Sequence, residues 1–342
     1  MMRASMLIRP GQLELCEVEK PSPGPGEVVV KVKSALTCGM DLKAFLRGHP
    51  RVSMPTLFGH EFSGEVAEVG REVKKFREGD HVMSVPSAPC GACYFCMRGQ
   101  DNLCEMTRQF KVVGAFAEYI CVPSHIVAQN MYAKPAHLSF KEAALLEPLA
   151  CVLHGFDQFS LHQDDTVVVI GAGAMGLLHL AILRTLGVEN VILIGRRAYR
   201  LRLARELGAK HVVDATQTDG LEYVRDVTGG HGADVVIECT GKPEVWESAI
   251  GMVRRSGQVV LFGGCPSGTK VSVDTGRLHY DQITLRSPFH YTRAAVRRSY
   301  DVLSSGLQAA RQLITAEYPL EQLPKVFSLL RQGDCVKYAV VP

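Results

Sequence analysis

Residues 166–176 read Thr-Val-Val-Val-Ile-Gly-Ala-Gly-Ala-Met-Gly. The β-branched run from Thr166 to Ile170 shows no alternation of polar and apolar residues. It therefore predicts a strand buried on both faces, as in a parallel sheet. The six residues that follow have the form G-x-G-x-x-G, and an apolar helical stretch continues to Leu186. Strand, glycine turn and helix in that order is the context in which this motif carries weight. Gly171 makes the tight turn, Gly173 lets the backbone approach a pyrophosphate, and Gly176 lets helix and strand pack closely. Ala174 and Met175 lie at the helix N-terminus, whose amides and dipole favour an anion.

Outward from this point the chain divides in two. Downstream, strands are predicted over 191–194, 212–214, 234–238 and 258–262, with helices over 198–207 and 244–253. Such alternation means an α/β, doubly wound parallel sheet. Upstream, short strands over 27–33, 61–69, 81–85 and 114–122 are separated by Gly and Pro turns, which predicts a β-rich barrel or sandwich. Helical spacing over 141–159 marks the passage between the two, and a helix and a last strand over 338–341 close the chain. The expected organisation is a β-rich domain 1–152, a dinucleotide-binding domain 153–290 and a C-terminal segment 291–342.

The strand after the glycine turn selects the cofactor. An NAD site places an Asp or Glu on the ribose hydroxyls about 20 residues beyond the glycines. Here strand 191–194 ends in Gly195, Arg196 and Arg197 instead. Guanidinium groups suit a 2′-phosphate through charge-assisted, often bidentate contacts. NADP(H) is therefore expected ahead of NAD(H). A solvated arginine pair would explain Arg196 and Arg197 but not the missing acid. A carboxylate placed by Gly195→Asp is expected to turn the preference towards NAD.

Composition sets the outer bounds. The 342 residues are 46% hydrophobic and 21% charged, ordinary for a globular chain. The net charge of +3, from 38 basic and 35 acidic side chains, gives no footprint for a nucleic-acid partner. Residues 1–10 lack the apolar core of an export signal, and the most apolar stretch, 167–183, falls short of a membrane span of about 20 residues. A cytoplasmic protein without a membrane partner is expected. Eleven cysteines, an odd number with no export signal, argue against a disulfide framework and for metal binding or catalysis.

Four of the cysteines are clustered as Cys90-x2-Cys93-x2-Cys96-x7-Cys104. Four thiolates at such spacing suit one tetrahedral zinc; an iron–sulfur cluster is the competing reading. With every position filled by sulfur, such a zinc is structural. Cys38, His60 and Glu61, with Glu147, could make a second metal site of the open, catalytic kind. Cys16, Cys121, Cys151, Cys239, Cys265 and Cys335 are expected to be small core residues. His290, Arg293, Arg297 and Arg298 are expected on a solvated helix face, with contact to a substrate phosphate as the alternative.

Several segments together resemble one family over almost the whole chain. Gly59-His60-Glu61-x2-Gly64-x5-Gly70-x2-Val73, continued by Gly79-Asp80-x-Val82, is similar to the zinc signature of the medium-chain dehydrogenases. Cys38-Gly39-x-Asp41, Glu147-Pro148-Leu149-Ala150, the cysteine quartet and Glu238-Cys239-Thr240-Gly241 match further segments of that family, in its sorbitol/threonine/glucose dehydrogenase branch. The resemblance implies a GroES-like catalytic domain, closed by the C-terminal segment, with a Rossmann domain inserted and the active site in the cleft between them. It implies catalytic zinc on Cys38, His60 and Glu61, with Glu147 as a direct or water-mediated fourth partner and Asp41 holding His60. It also implies a small-molecule alcohol or ketone substrate and a homodimer or homotetramer.

Two positions depart from the family pattern. Where the family has Ser or Thr after Cys-Gly, opening a proton relay, this chain has Met40; where the relay often ends on His, it has Lys43. The proton is then expected to leave through Glu147 or Glu61 working with water, or through Lys43. The activity implied is hydride transfer between NADP and a secondary hydroxyl of a polyol, sugar or cyclitol. An amino alcohol such as threonine and a phosphorylated polyol are the alternatives, and a non-catalytic NADPH-binding protein is the rival of a different class.

Overall fold

The computed structural model describes residues 1–48, 52–109 and 112–342. Two units emerge, one built from residues 1–151 and 290–342, the other from 152–289.

The second unit holds the strands Val167–Ile170, Val191–Gly195, His211–Asp214, Ala233–Glu238, Val253–Leu261 and Thr284–Arg286. Numbered along the chain, they lie in the order 3-2-1-4-5-6, and every pairing is parallel. This is the doubly wound sheet that the alternation of elements implied. Strand Val167–Ile170 is flanked on both edges, by Val191–Gly195 and Ala233–Glu238. That position explains its unbroken run of buried β-branched residues. The strand order reverses beside it, and open parallel sheets bind ligands at the C-terminal strand ends of such a switch point. Strand Thr284–Arg286, only 3 residues long and on the sheet edge, is too short to carry a readable period.

The first unit is built on a 7-stranded sheet. Along its main path run Ile314–Pro319, Lys337–Val341, Val28–Leu36, Glu61–Val69, His81–Ser84 and Met131–Ala133, with Tyr119–Val122 pairing on Val28–Leu36. A smaller sheet joins Gln12–Val18, Met2–Arg9 and Thr56–Leu57. Val28, Val30 and Val32 share one apolar core with Phe58, Phe62, Phe116 and the C-terminal Phe327 and Val340. Phe58 packs on Phe116 and Phe327 with ring centroids 5.9 and 5.5 Å apart. Residues from both ends of the chain thus make one hydrophobic interior.

Two predicted elements differ. The strand expected over 114–122 is regular only from Tyr119 to Val122. Gly114 has φ +111°, and Ala115 and Phe116 donate to the carbonyls of Gly59 and Phe58 rather than to a sheet ladder. The helix expected over 141–159 is two helices, Phe140–Ala143 and Leu146–Phe156. Pro148 has no N–H and its ring would strike the carbonyl four residues back, so the helix restarts close before it. Among the described residues, no helix is long and apolar enough to cross a membrane.

Candidate metal centres and cofactor cleft

Cys38 caps the helix Gly39–Arg47, its sulfur accepting from the Met40 amide at 3.4 Å. Asp41 closes the capping box by accepting from the Cys38 amide at 3.3 Å. Its other oxygen lies 3.1 Å from Nδ1 of the buried His60. One carboxylate therefore fixes both the cysteine backbone and the imidazole. Burial works against a charged His60, but Asp41 outweighs it and holds the imidazole well above its ordinary pKa. Glu61 opens the strand Glu61–Val69 and is fully buried. Ligand atoms of Cys38, His60 and Glu61 all lie within 4.8 Å of one another. Thiolate, imidazole and carboxylate form a donor set that suits zinc.

Lys337, which sequence reasoning missed, completes this corner. Its ammonium donates to both oxygens of Glu61, at 2.7 and 2.5 Å, and to the Thr37 carbonyl at 2.9 Å. Burial pushes Glu61 up to about 7, partly offset by Lys337. The signal was available: Lys337 is the one charged residue within the apolar run from Cys335 to Val341. A lysine there needs a buried partner.

Glu147 lies in the first turn of Leu146–Phe156 and is buried. Its ligand atom falls within 4.8 Å of those of Cys151 and His290. These two residues were placed differently by sequence reasoning, as a core thiol and a solvated helical residue. His290 instead precedes the helix Arg293–Ser304, and Cys151 is only partly buried. Arg293 pairs with Asp101 and Arg297 with Asp301. Of the six cysteines outside the two predicted metal sets, only Cys335 is buried. Met40 is 37% exposed, and Lys43 on the same helix is exposed.

The cysteine quartet converges. Ligand atoms of Cys90, Cys93, Cys96 and Cys104 lie within 4.8 Å of one another. Sulfur pairs Cys93–Cys96 and Cys90–Cys96 are 3.6 and 3.9 Å apart. A tetrahedron with metal–sulfur bonds of about 2.3 Å has sulfurs about 3.8 Å apart. The spacing fits one ion and leaves no room for a cube of four irons. Backbone amides prepare the thiolates: Cys90 N–H donates to the Cys104 sulfur and Cys93 N–H to the Cys90 sulfur, both at 3.3 Å. Hydrogen bonding lowers the Cys93 thiol to about 6, while burial raises Cys96 to about 12.

In the second unit a cleft of about 800 Å³ opens over the C-terminal strand ends. Gly171, at φ +110°, would bring a Cβ within 2.9 Å of Thr240, and a Cβ on Gly176 would lie 1.9 Å from the Gly171 carbonyl. Neither position accepts a side chain. Gly173 faces the cleft, and Arg196, Arg197 and Arg200 line the same cavity. Arg200 was missed because it lies inside the predicted helix 198–207. Thr240 and Lys242, from the loop after Ala233–Glu238, line it as well. Ala174 and Met175 begin the helix Ala174–Thr185 and are absent from the lining. Gly195 is buried, and a Cβ there would sit 2.8 Å from Ala172 Cβ and 2.9 Å from Leu201. The missing acid thus has a packing cause as well, and Gly195→Asp would disturb the strand end before it tested the cofactor.

A dinucleotide cradle in one unit and a thiolate–imidazole–carboxylate set in the other define the class of metal-dependent dehydrogenases. Comparison with known proteins narrows the class. Residues 24–132 match the family "Alcohol dehydrogenase GroES-like domain" and residues 174–305 match "Zinc-binding dehydrogenase". The chain is 30% identical to a sorbitol dehydrogenase of Bacillus subtilis (strain 168), over 100% of this chain and 97% of that one. It is 33% identical to an L-threonine 3-dehydrogenase of Bacillus velezensis, over 96% and 95% of the two chains. A protein of Sinorhizobium meliloti 1021, described as a zinc-binding dehydrogenase and solved bound to NADP, superposes with a TM-score of 0.91 at 32% identity, covering 100% and 99%. The chain belongs to the zinc-dependent medium-chain dehydrogenase family, in its sorbitol/threonine dehydrogenase-like branch.

Proposed function

We propose that this chain is an NADP-dependent dehydrogenase acting on a secondary hydroxyl of a polyol, sugar or cyclitol, or on the matching ketone. The observation that carries the reading is the convergence of Cys38, His60 and Glu61 within 4.8 Å, with Asp41 and Lys337 behind them. Those three would hold the catalytic zinc, with Glu147 as direct or water-mediated fourth partner, and the Cys90–Cys104 quartet a structural one. When bound, zinc supplies Lewis acidity at the substrate oxygen and NADP supplies the hydride-accepting ring.

The chain's own residues supply the rest. Asp41 fixes the tautomer and orientation of His60. Lys337 engages both oxygens of Glu61 and offsets part of the burial that raises its pKa, and the zinc it would hold favours the carboxylate form, so Glu61 is the poorer proton carrier. Met40 has no proton to relay, and the exposed Lys43 lacks the burial that makes an amine a useful base. Glu147 is the carboxylate left for that task. Arg196, Arg197 and Arg200 would engage the 2′-phosphate, a choice supported by the NADP-bound relative.

The Glu147-Pro148-Leu149-Ala150 segment and the sorbitol dehydrogenase relative support a polyol. The threonine dehydrogenase relatives, at 32–34% identity, favour an amino alcohol as the second reading. Initial rates of NADP⁺ and NAD⁺ reduction over polyols, cyclitols and amino alcohols decide between them. Turnover of a polyol or cyclitol with NADP⁺ ahead of NAD⁺ is expected. Turnover of threonine alone moves the substrate to the second reading, and NAD⁺ ahead of NADP⁺ overturns the cofactor assignment.

A further inference from the structure

The helix Leu146–Phe156 carries Glu147 and Cys151 one turn apart. Residues four apart leave the same helix face, as two donors to one metal must. The Cys151 thiol donates to Glu147 Oε1 at 3.6 Å. His290 arrives from a distant part of the sequence, and ligand atoms of all three residues lie within 4.8 Å of one another. Its backbone is in the left-handed region, at φ +63°. A non-glycine residue stays there only when its surroundings hold it, and such positions cluster at functional sites. The surroundings are visible: His290 Nε2 shares a 2.8 Å hydrogen bond with Ser87 Oγ, which also bonds the Tyr291 hydroxyl at 2.7 Å. Asn130 Nδ2 donates to the Ser87 carbonyl at 2.9 Å. Metal-binding imidazoles are oriented by such outer partners.

We propose that Glu147, Cys151 and His290 form a second position for a borderline-soft divalent cation of the zinc class, beside the Cys38, His60 and Glu61 set. The donors repeat that set's composition: one thiolate, one imidazole and one carboxylate. Binding releases the Cys151 thiol proton to solvent, and the resulting thiolate together with the Glu147 carboxylate balances the ion's two charges. Glu147 has two oxygens, so it can hold this ion through one and keep the other for its proposed part at the first metal; with both engaged it no longer takes the substrate proton. The inference does not depend on which substrate the enzyme turns over.

The test counts metal on the full chain. Zinc-loaded protein is titrated with Zn²⁺ against a competing chelator, and bound metal is measured by mass spectrometry. Wild type is expected to take a third equivalent. Cys151→Ala and His290→Gln should each lose that equivalent alone. Cys38→Ser should keep it and lose a different one; if Cys38→Ser loses none, the catalytic metal assignment fails while the second position stands. Saturation of wild type at two equivalents, or a third equivalent that persists in Cys151→Ala, overturns the proposal. A readout on unmodified protein covers the case of a variant that does not fold. The third zinc equivalent should protect Cys151 from iodoacetamide alkylation, read by peptide mass spectrometry, and alkylation at an unchanged rate overturns the proposal equally.

Discussion

Arg200 and Lys337 each add a charge that decides what its site accepts. Arg200 shares the cleft with Arg196 and Arg197. A hydrogen bond to a charged group contributes about 1.5–3 kcal/mol, or roughly 10–100-fold in binding. Arg200→Ala should therefore lower kcat/KM for NADP⁺ by about that factor and leave kcat/KM for NAD⁺ nearly unchanged; equal losses for both cofactors would assign Arg200 to packing. Lys337 pairs with a Glu61 that has no exposure at all. Removing one partner of a buried pair costs about 3–5 kcal/mol because the other is left uncompensated. Lys337→Met should lower urea stability by that amount, and adding Glu61→Gln should recover part of it. Lys43→Ala should leave the pH–rate profile unchanged. The residue scale is also where sequence reading stopped. Lys337 and Glu61 are 276 positions apart, and no local pattern links them. His290 read as an ordinary surface residue, because only the folded chain brings it beside Glu147, whereas Cys151, four residues on within the predicted helix, could have been placed there by helical spacing.

At the scale of elements, what could be read locally was read. The glycine turn and the cysteine quartet declare themselves because all their parts lie within a few residues of one another. The break between Phe140–Ala143 and Leu146–Phe156 was less visible, since helical spacing continues across it and only Pro148 marks the restart. The shorter helix depends on its cap. Glu142 accepts from the Ser139 amide at 2.9 Å and from Arg311 at 2.8 Å. Burial opposes its charge, but these bonds prevail and hold its pKa below the ordinary value of 4.5. Its contribution is therefore present above pH 4.5 and lost as pH falls through the lowered value. Glu142→Gln keeps an acceptor for the Ser139 amide but loses the charge that Arg311 engages, and should cost about 0.5–1 kcal/mol at pH 7. The gap from wild type should close in acid, as urea titrations across pH 3–7 would record. The cysteine lobe yields a second test. Stripping metal with a chelator should open 90–104 to limited proteolysis, and restored zinc should close it; cleavage indifferent to zinc would remove the structural role.

For the whole molecule, the fold class and the family were legible, because periodicity and motif order run the length of the chain. The partition into units follows the chain in an uneven way. Residues 152–289 are continuous, whereas the first unit needs 1–151 and 290–342. A continuous unit with its own sheet and core should fold alone. The segment 152–289, expressed by itself, should unfold cooperatively. NADP⁺ at about 100 times its Kd should stabilise it by about 2.7 kcal/mol. Absence of a cooperative transition would show that it needs the rest of the chain.

The ammonium on Glu61 also sets a schedule for the growing chain. A ribosome that has made Glu61 must add 276 more residues before Lys337 exists. At about 5–20 residues per second, that is roughly 14–55 s. During this interval the inserted unit can finish folding, while the metal-binding corner waits for its counter-charge. A nascent chain halted before residue 337 should therefore carry an ordered nucleotide fold beside an unfinished metal corner. Chaperone dependence, if it arises in synthesis, belongs to the unit that is translated first and completed last.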